Sequence, residues 1–379
     1  MRKIWKVFKN SACSIILTLL VLTGFVHPVS FVIIGCVFLA EFLFFLFTFR
    51  GQIKIETPDG GDGQPYHPSV LFFKDGFSGH KYWMAFTPLP IGAKPYPDRW
   101  ECPCVICSND GVNWKYPNNR KHFLDDLTDN EIADQDYFSD PHLIYNSDSH
   151  QIYLYYRLST GPKKYKDIVI YLRTSYDGIN WTDRQQVTYL DSEIEKQRPT
   201  SPAFVCSDNG YIMWYVEGGD REHRRIFAAF SKDGLTYEKS TVCNLNSSIN
   251  PWHIDCQKFD DEYFLTVYDF SNHVTVFKSV DGINFNEFCV LLSRSKKTGS
   301  FYKSGLYRTC LVKTDSDYRA YFSAKDGTRV SIGLMQGNQI DKMKVISASS
   351  YLKFRRFFDD MLNKYLYVYV KIAKKFWSF

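Results

Sequence analysis

The sequence predicts an all-β fold, a five-bladed β-propeller of four-stranded antiparallel blades, and three observations carry that expectation. The stretch SNDGVNW from Ser108 returns as SYDGINW from Ser175, SKDGLTY from Ser231 and SVDGINF from Ser279. Each copy lies between two extended apolar runs, and an Asp-Gly turn so placed marks a β-hairpin. The chain of 379 residues is 17% aromatic and 45% hydrophobic, a load that favours strands over a helical bundle. The turn aspartates Asp110, Asp177, Asp233 and Asp281 stand 67, 56 and 48 residues apart. Repeats of about 40–50 residues with four short strands each are the signature of propeller blades.

Taken in order, the first 55 residues read as a membrane anchor. Two apolar runs, 11–26 and 29–49, are separated by His27 and Pro28. Each approaches the roughly 20 residues a spanning helix needs, so a helical hairpin is expected. A second apolar run and the lack of a small-residue cleavage site speak against a signal peptide. Arg2, Lys3, Lys6 and Lys9 precede the first run, and Arg50 and Lys54 follow the second. The positive-inside rule then puts both ends, and the domain after them, on the cytoplasmic side; if only one run spans, that domain lies outside.

Residues 56–350 form the propeller. Upstream of each turn comes another strand pair: HPSVLFF with HKYWMAFT, DPHLIYN with QIYLYYR, SPAFVCS with GYIMWYVEG, and HIDCQKF with EYFLTVYDF. A fifth unit, GLYRTCLV, YRAYFSAKDG and TRVSIGLMQG, lacks the closing aromatic. The serine and aspartate of each turn are expected to close the outer hairpin, with the aromatic packing between blades. Residues 351–379 mix aromatic and aliphatic side chains with Lys and Arg at helical spacing. That pattern suits an amphipathic helix on an anionic lipid surface or one packed on the main domain.

Composition excludes several classes. A net charge of +5, dispersed except at the ends, does not argue for nucleic acid. Ten cysteines at irregular intervals read as reduced core thiols rather than a disulfide framework, which favours a reducing compartment. Cys102 and Cys104 flank a proline, and no other Cys/His pair has ligand spacing, so no metal or other cofactor is expected.

The five blades, the DP pair at Asp140 and Pro141, and the S-x-D-G-x-x-W hairpin make the middle three quarters of the chain resemble the five-bladed propeller glycoside hydrolases, which include arabinanases, β-xylosidases and invertases. The resemblance implies catalysis in an axial funnel with a first-blade Asp, a second-blade Asp and a third-blade Glu. Here only Asp140 matches; His67 stands at the first position and Thr200 or Ser201 at the third.

Strand starts and second-to-third connections share one face of a propeller disc, so their polar residues converge. The candidates for catalysis are Asp140, Glu217, Asp255 and His67. Those for substrate binding are Glu101, His142, Arg157, Ser201, Trp252, His253, Asp269 and Arg308. Trp83, Trp100, Trp214 and Trp252 are expected beside the funnel, since sugars present C–H faces to rings and hydroxyls to polar groups. Three functions remain open: a membrane-anchored glycosidase or transglycosidase on a cell-envelope polysaccharide or lipid-linked saccharide, a non-catalytic glycan-binding module, and a protein-interaction scaffold. The expected partners are a glycan and membrane lipid.

Overall fold

The computed structural model describes residues 52–58, 64–89, 101–160, 167–207, 209–218, 222–295, 300–326 and 329–346, with Cys36, Leu39 and Leu43 as single helical positions. The compact unit Arg50–Ser347 holds the propeller. The expected spans 11–26 and 29–49, apart from those three residues, and the tail 351–379 lie outside the described residues. Among the described residues no helix is long and apolar enough to cross a membrane.

Five antiparallel sheets follow one another in chain order, as the repeat predicts. Their innermost strands are Pro65–Phe77, Tyr137–Asn146, Pro199–Ser207, His253–Phe259 and Gly305–Lys313. Each pairs with its successor in an up-and-down meander. The core lies between the sheets, where the faces of adjacent blades bury Val, Ile, Leu, Cys and aromatic side chains.

The outer strands depart from the expected four per blade. In blade 1 the fourth strand is reduced to a bridge between Cys107 and Lys115, and in blade 2 it is Gln185–Gln186. Blades 3 and 4 each gain a parallel two-residue strand, Thr188–Tyr189 and Asn244–Leu245, from the preceding connection. Blade 5 ends in the short Lys344–Val345 strand, and Gln52 bridges Gly333 on the same sheet. The start of the propeller thereby joins its last blade.

The repeated turn performs the structural role expected of it. Asp177 Oδ1 accepts from the backbone N–H of Ile179 and Asn180 at 2.8 and 2.7 Å, while Ser175 Oγ accepts from Gly178 N at 2.8 Å. The same bonds recur at Asp110, Asp233 and Asp281. The turn glycines all have φ between +72° and +77°. Against each lies an aromatic from the previous blade: Tyr321 Oη donates to Gly111 O, Tyr155 Oη to Gly234 O and Trp214 Nε1 to Gly282 O, and a Cβ on Gly178 would sit 2.3 Å from the Trp83 ring. Trp83 and Trp214 are therefore fully buried wedges between blades. This corrects their expected place beside a sugar: both are wholly buried between blades, on second strands rather than innermost ones. Trp100 lies outside the described residues. The described cysteines are free and most are buried.

Candidate functional site

Three blades bring a residue to the axis by the same local device. His67, Asp140 and Ser201 each precede a proline and hold φ at +52°, +49° and +47°. A residue before proline favours extended backbone, so a left-handed conformation there is strained. At each of these points the pairing of the innermost strand breaks register. The resulting bulge re-aims the side chain. His253 comes instead from the unbroken ladder of blade 4, where it pairs with Tyr268.

The outcome is a buried cluster of His67, Asp140 and His253, whose ligand atoms all lie within 4.8 Å of one another. His67 Nε2 and His253 Nδ1 each stand 3.6 Å from Asp140 Oδ1. Hydroxyls fix the rings: His67 Nδ1 bonds Thr87 Oγ1 at 2.8 Å, and His253 Nδ1 bonds Ser201 Oγ at 3.1 Å. His67 Nε2, His253 Nε2 and Asp140 Oδ1 are buried with no hydrogen-bond partner. A buried polar atom left unpaired is costly, so three of them on one cluster of residues mark a place for a ligand. Two imidazole nitrogens and one carboxylate oxygen form a donor set for a transition-metal dication.

Electrostatics agrees with that donor set. Burial pushes His67 down to about 3 and His253 well below the usual imidazole range, which keeps both lone pairs available. Burial, the largest single influence, would raise Asp140, but the groups around it, the Arg157 guanidinium first and then His67, His253 and Arg308, together outweigh burial and hold the carboxyl far below the carboxylate range. Arg157 Nε donates to Asp140 Oδ2 at 2.5 Å, and its Nη1 bonds Ser159 Oγ. Glu101, itself at φ +50°, accepts from Ser139 Oγ at 2.5 Å and reaches within 3.8 Å of His67 Nδ1. Burial raises its carboxyl to about 7.

Beneath this layer lies a second. His142 Nδ1 stands 3.3 Å from Asp255 Oδ1 and 3.0 Å from Arg308 Nη2, which also donates to Pro202 O at 2.8 Å. Arg308 is wholly buried and lies 3.8 Å from Asp140 Oδ1 and 3.6 Å from Asp255 Oδ1. Burial raises Asp255 to about 6. Above the cluster, the Tyr307 ring lies 3.8 Å from that of His253 and stacks on Tyr66 at 4.5 Å.

The sequence candidates thus divide. His67, Asp140, His253, Glu101, Arg157 and Ser201 meet in the upper layer, and His142, Asp255 and Arg308 in the lower. Trp252 reaches the edge of the site, donating to Tyr307 Oη at 3.1 Å. Glu217 does not join: both its oxygens bind the exposed Arg225 at 3.0 Å. Asp269 closes a loop by accepting from Ser271 N at 3.1 Å. Chain spacing pointed to no metal because it sees only neighbours in sequence, whereas these three residues, which could hold one, come from three blades. Thr87, Ser139 and Tyr66 were missed. Thr87 had a signal, since it pairs with Tyr66 beside His67, as Arg157 pairs with Ser139 beside Asp140.

Comparison with known proteins places the architecture among glycoside hydrolase-like five-bladed propellers. A family-43 glycoside hydrolase from Bacillus licheniformis aligns over 77% of this chain and 56% of its own, with a TM-score of 0.53 and 12% identity. A family-43 β-1,3-galactosidase aligns over 79% and 98%, with a TM-score of 0.55 and 11% identity. The crystal structure of an N-acetylgalactosamine deacetylase from F. plautii, in complex with blood group B trisaccharide, gives a TM-score of 0.62 at 19% identity, over 78% of this chain and 96% of that one. In sequence, the chain is 25% identical over 344 residues to the A type blood N-acetyl-α-D-galactosamine deacetylase of Flavonifractor plautii, covering 76% of this chain. The chain spans 42% of the length of that relative. No family model matches.

Proposed function

We propose that this protein is a divalent-metal-dependent deacetylase that removes the acetyl group from an N-acetylated sugar of a glycan. The observation that carries the reading is the buried cluster of His67, Asp140 and His253, in which His67 Nε2, His253 Nε2 and Asp140 Oδ1 have no hydrogen-bond partner. Similarity to a sugar deacetylase supports the choice of bond. A dication held by these three residues would supply Lewis-acid polarisation of an acyl carbonyl.

The rest of the chemistry belongs to the chain. Water adds to the acetamide carbonyl carbon, the C–N bond breaks, acetate leaves and the sugar nitrogen takes up a proton. Glu101 is the carboxyl beside His67 whose titration burial keeps near neutral pH, and it is assigned the transfer of that proton from water to nitrogen. Arg157 holds Asp140 ionised, while Thr87 and Ser201 orient the two imidazoles.

The test is release of acetate from glycans that carry N-acetylhexosamine. Activity is expected to vanish on chelation and to return with a divalent ion. Glu101→Gln should lower the rate by about 10²–10⁴. A second reading, glycosidase, is favoured by one observation: Glu101 and Asp140 flank the His67 ring, 3.8 Å from Nδ1 and 3.6 Å from Nε2, as a pair of carboxyls. New reducing ends with the acetyl group retained would establish it over deacetylation. Binding without either product would leave a glycan-binding module.

The apolar runs 11–26 and 29–49 support placing this activity at a membrane, where the glycan would be a cell-envelope polysaccharide or a lipid-linked saccharide. By charge count the propeller faces the cytoplasm. Labelling of intact cells with an impermeant thiol reagent should then miss a cysteine placed in the Asp110 turn.

A further inference from the structure

One aromatic beside the site, Phe270, is largely exposed to solvent. Phe270 lies on the connection between Glu262–Tyr268 and His273–Ser279 in blade 4, the same blade that delivers His253. Its side chain is 59% exposed, yet its backbone sits at φ +64°. A bulky residue in that region is an outlier, and here burial does not offset the strain. The loop enforces it: Asp269 Oδ1 accepts from Ser271 N, and Ser271 Oγ accepts from His273 N at 3.3 Å.

What the strain secures is the ring's position. Phe270 lies 5.0 Å from Trp252 and 5.7 Å from Tyr268. Trp252 is itself clamped, with the Arg224 guanidinium 4.3 Å from its ring and its Nε1 bonded to Tyr307 Oη. Tyr307 in turn lies against His253. A continuous aromatic series therefore descends from solvent at Phe270, through Trp252 and Tyr307, to the metal-ligand cluster. Only its outermost member presents a large exposed surface.

We propose that Phe270, backed by Trp252, is the stacking platform for a second sugar ring, covalently joined to the one whose acetamide reaches the His67/Asp140/His253 cluster. The occupant is a pyranose with an apolar C–H face, since an exposed ring held beside a polar cluster matches that face while leaving the hydroxyls in water. This rests on the glycan reading of the pit and adds to it: the natural substrate is at least a disaccharide, and length is read at Phe270.

The experiment compares Phe270→Ala and Phe270→Leu with the unaltered full chain on two probes, methyl α-N-acetylgalactosaminide and a blood group A trisaccharide ending in the same sugar. Acetate release gives kcat/KM, and saturation-transfer NMR on the chelated protein gives contact to each sugar ring. For the trisaccharide, kcat/KM should fall by about tenfold in Phe270→Ala, chiefly through KM, and stay unchanged for the monosaccharide. Saturation transfer to the second sugar should be lost. Equal loss on both probes, or none on either, overturns the platform while leaving deacetylation standing. If no probe is deacetylated, the NMR arm decides alone: ring contact abolished by Phe270→Ala supports the platform, and contact retained, or absent in the unaltered chain, overturns it.

Discussion

At the scale of single residues, the site depends on charges placed where water cannot reach them. Asp140 is fully buried, and Arg157, with 6% of its surface exposed, is the cation that touches it most closely. Breaking a buried ion pair by removing one partner costs about 3–5 kcal/mol because the other charge is left uncompensated. Arg157→Met should therefore destabilise by that amount in denaturant unfolding. Adding Asp140→Asn should restore a large part of it, and the coupling between the two changes measures the pair. Additive losses would show that the guanidinium acts on packing alone. The residue before each proline also belongs to this scale. His67-Pro68, Asp140-Pro141 and Ser201-Pro202 could be read off the chain as pairs, and all three first members were candidates. Their left-handed backbone was not legible, because proline by itself predicts extended geometry at the preceding residue.

At the scale of the element, the Ser-x-Asp-Gly hairpin is the unit from which the blades are spaced. Its bonds are local, which is why four copies could be recognised and placed from sequence. Its glycine is required twice, by φ and by the neighbouring blade. At Gly178, with φ +73° and Trp83 at 2.3 Å from an added Cβ, alanine should cost roughly 2–5 kcal/mol, combining left-handed strain with overpacking. At Gly79, with φ +79° and open space around it, alanine should cost only about 1–2 kcal/mol. Equal costs would contradict the wedge. For Asp110, Asp177 and Asp233, burial works against ionisation, but the hydrogen bonds each accepts within its turn outweigh it; for Asp281 the bond from Asn284 N leads. All four carboxyls end below their ordinary value. A carboxyl depressed on folding contributes stability above its unfolded pKa and loses it as pH falls through the folded one. The urea midpoint should therefore drop between about pH 5 and about pH 2, and the drop should be shallower in Asp281→Asn. Outer strands were the least legible part of each blade. One bridge at Cys107 and two residues at Gln185–Gln186 carry too few ladder bonds to leave an alternating pattern.

At the scale of the whole molecule, the propeller is a means of bringing distant chain positions to one axis. Its five blades were legible because the repeat recurs along the sequence. The axial layer was legible residue by residue but not as a candidate metal site, since His67, Asp140 and His253 belong to blades 1, 2 and 4 and share no local spacing. Glu217 shows the converse case: its place after a strand suited the site, and the structure pairs it with Arg225 instead. The central claim is that closing the ring builds a three-ligand site for one divalent ion, and it can be tested without knowing the sugar. The full chain, stripped with chelator, is dialysed against zinc or manganese and its bound metal is counted by mass spectrometry. One equivalent per chain, abolished in His253→Ala and in Asp140→Asn while the far-ultraviolet spectrum stays that of the folded propeller, is the predicted result. No retained metal, or the same equivalent in folded His253→Ala, would contradict it.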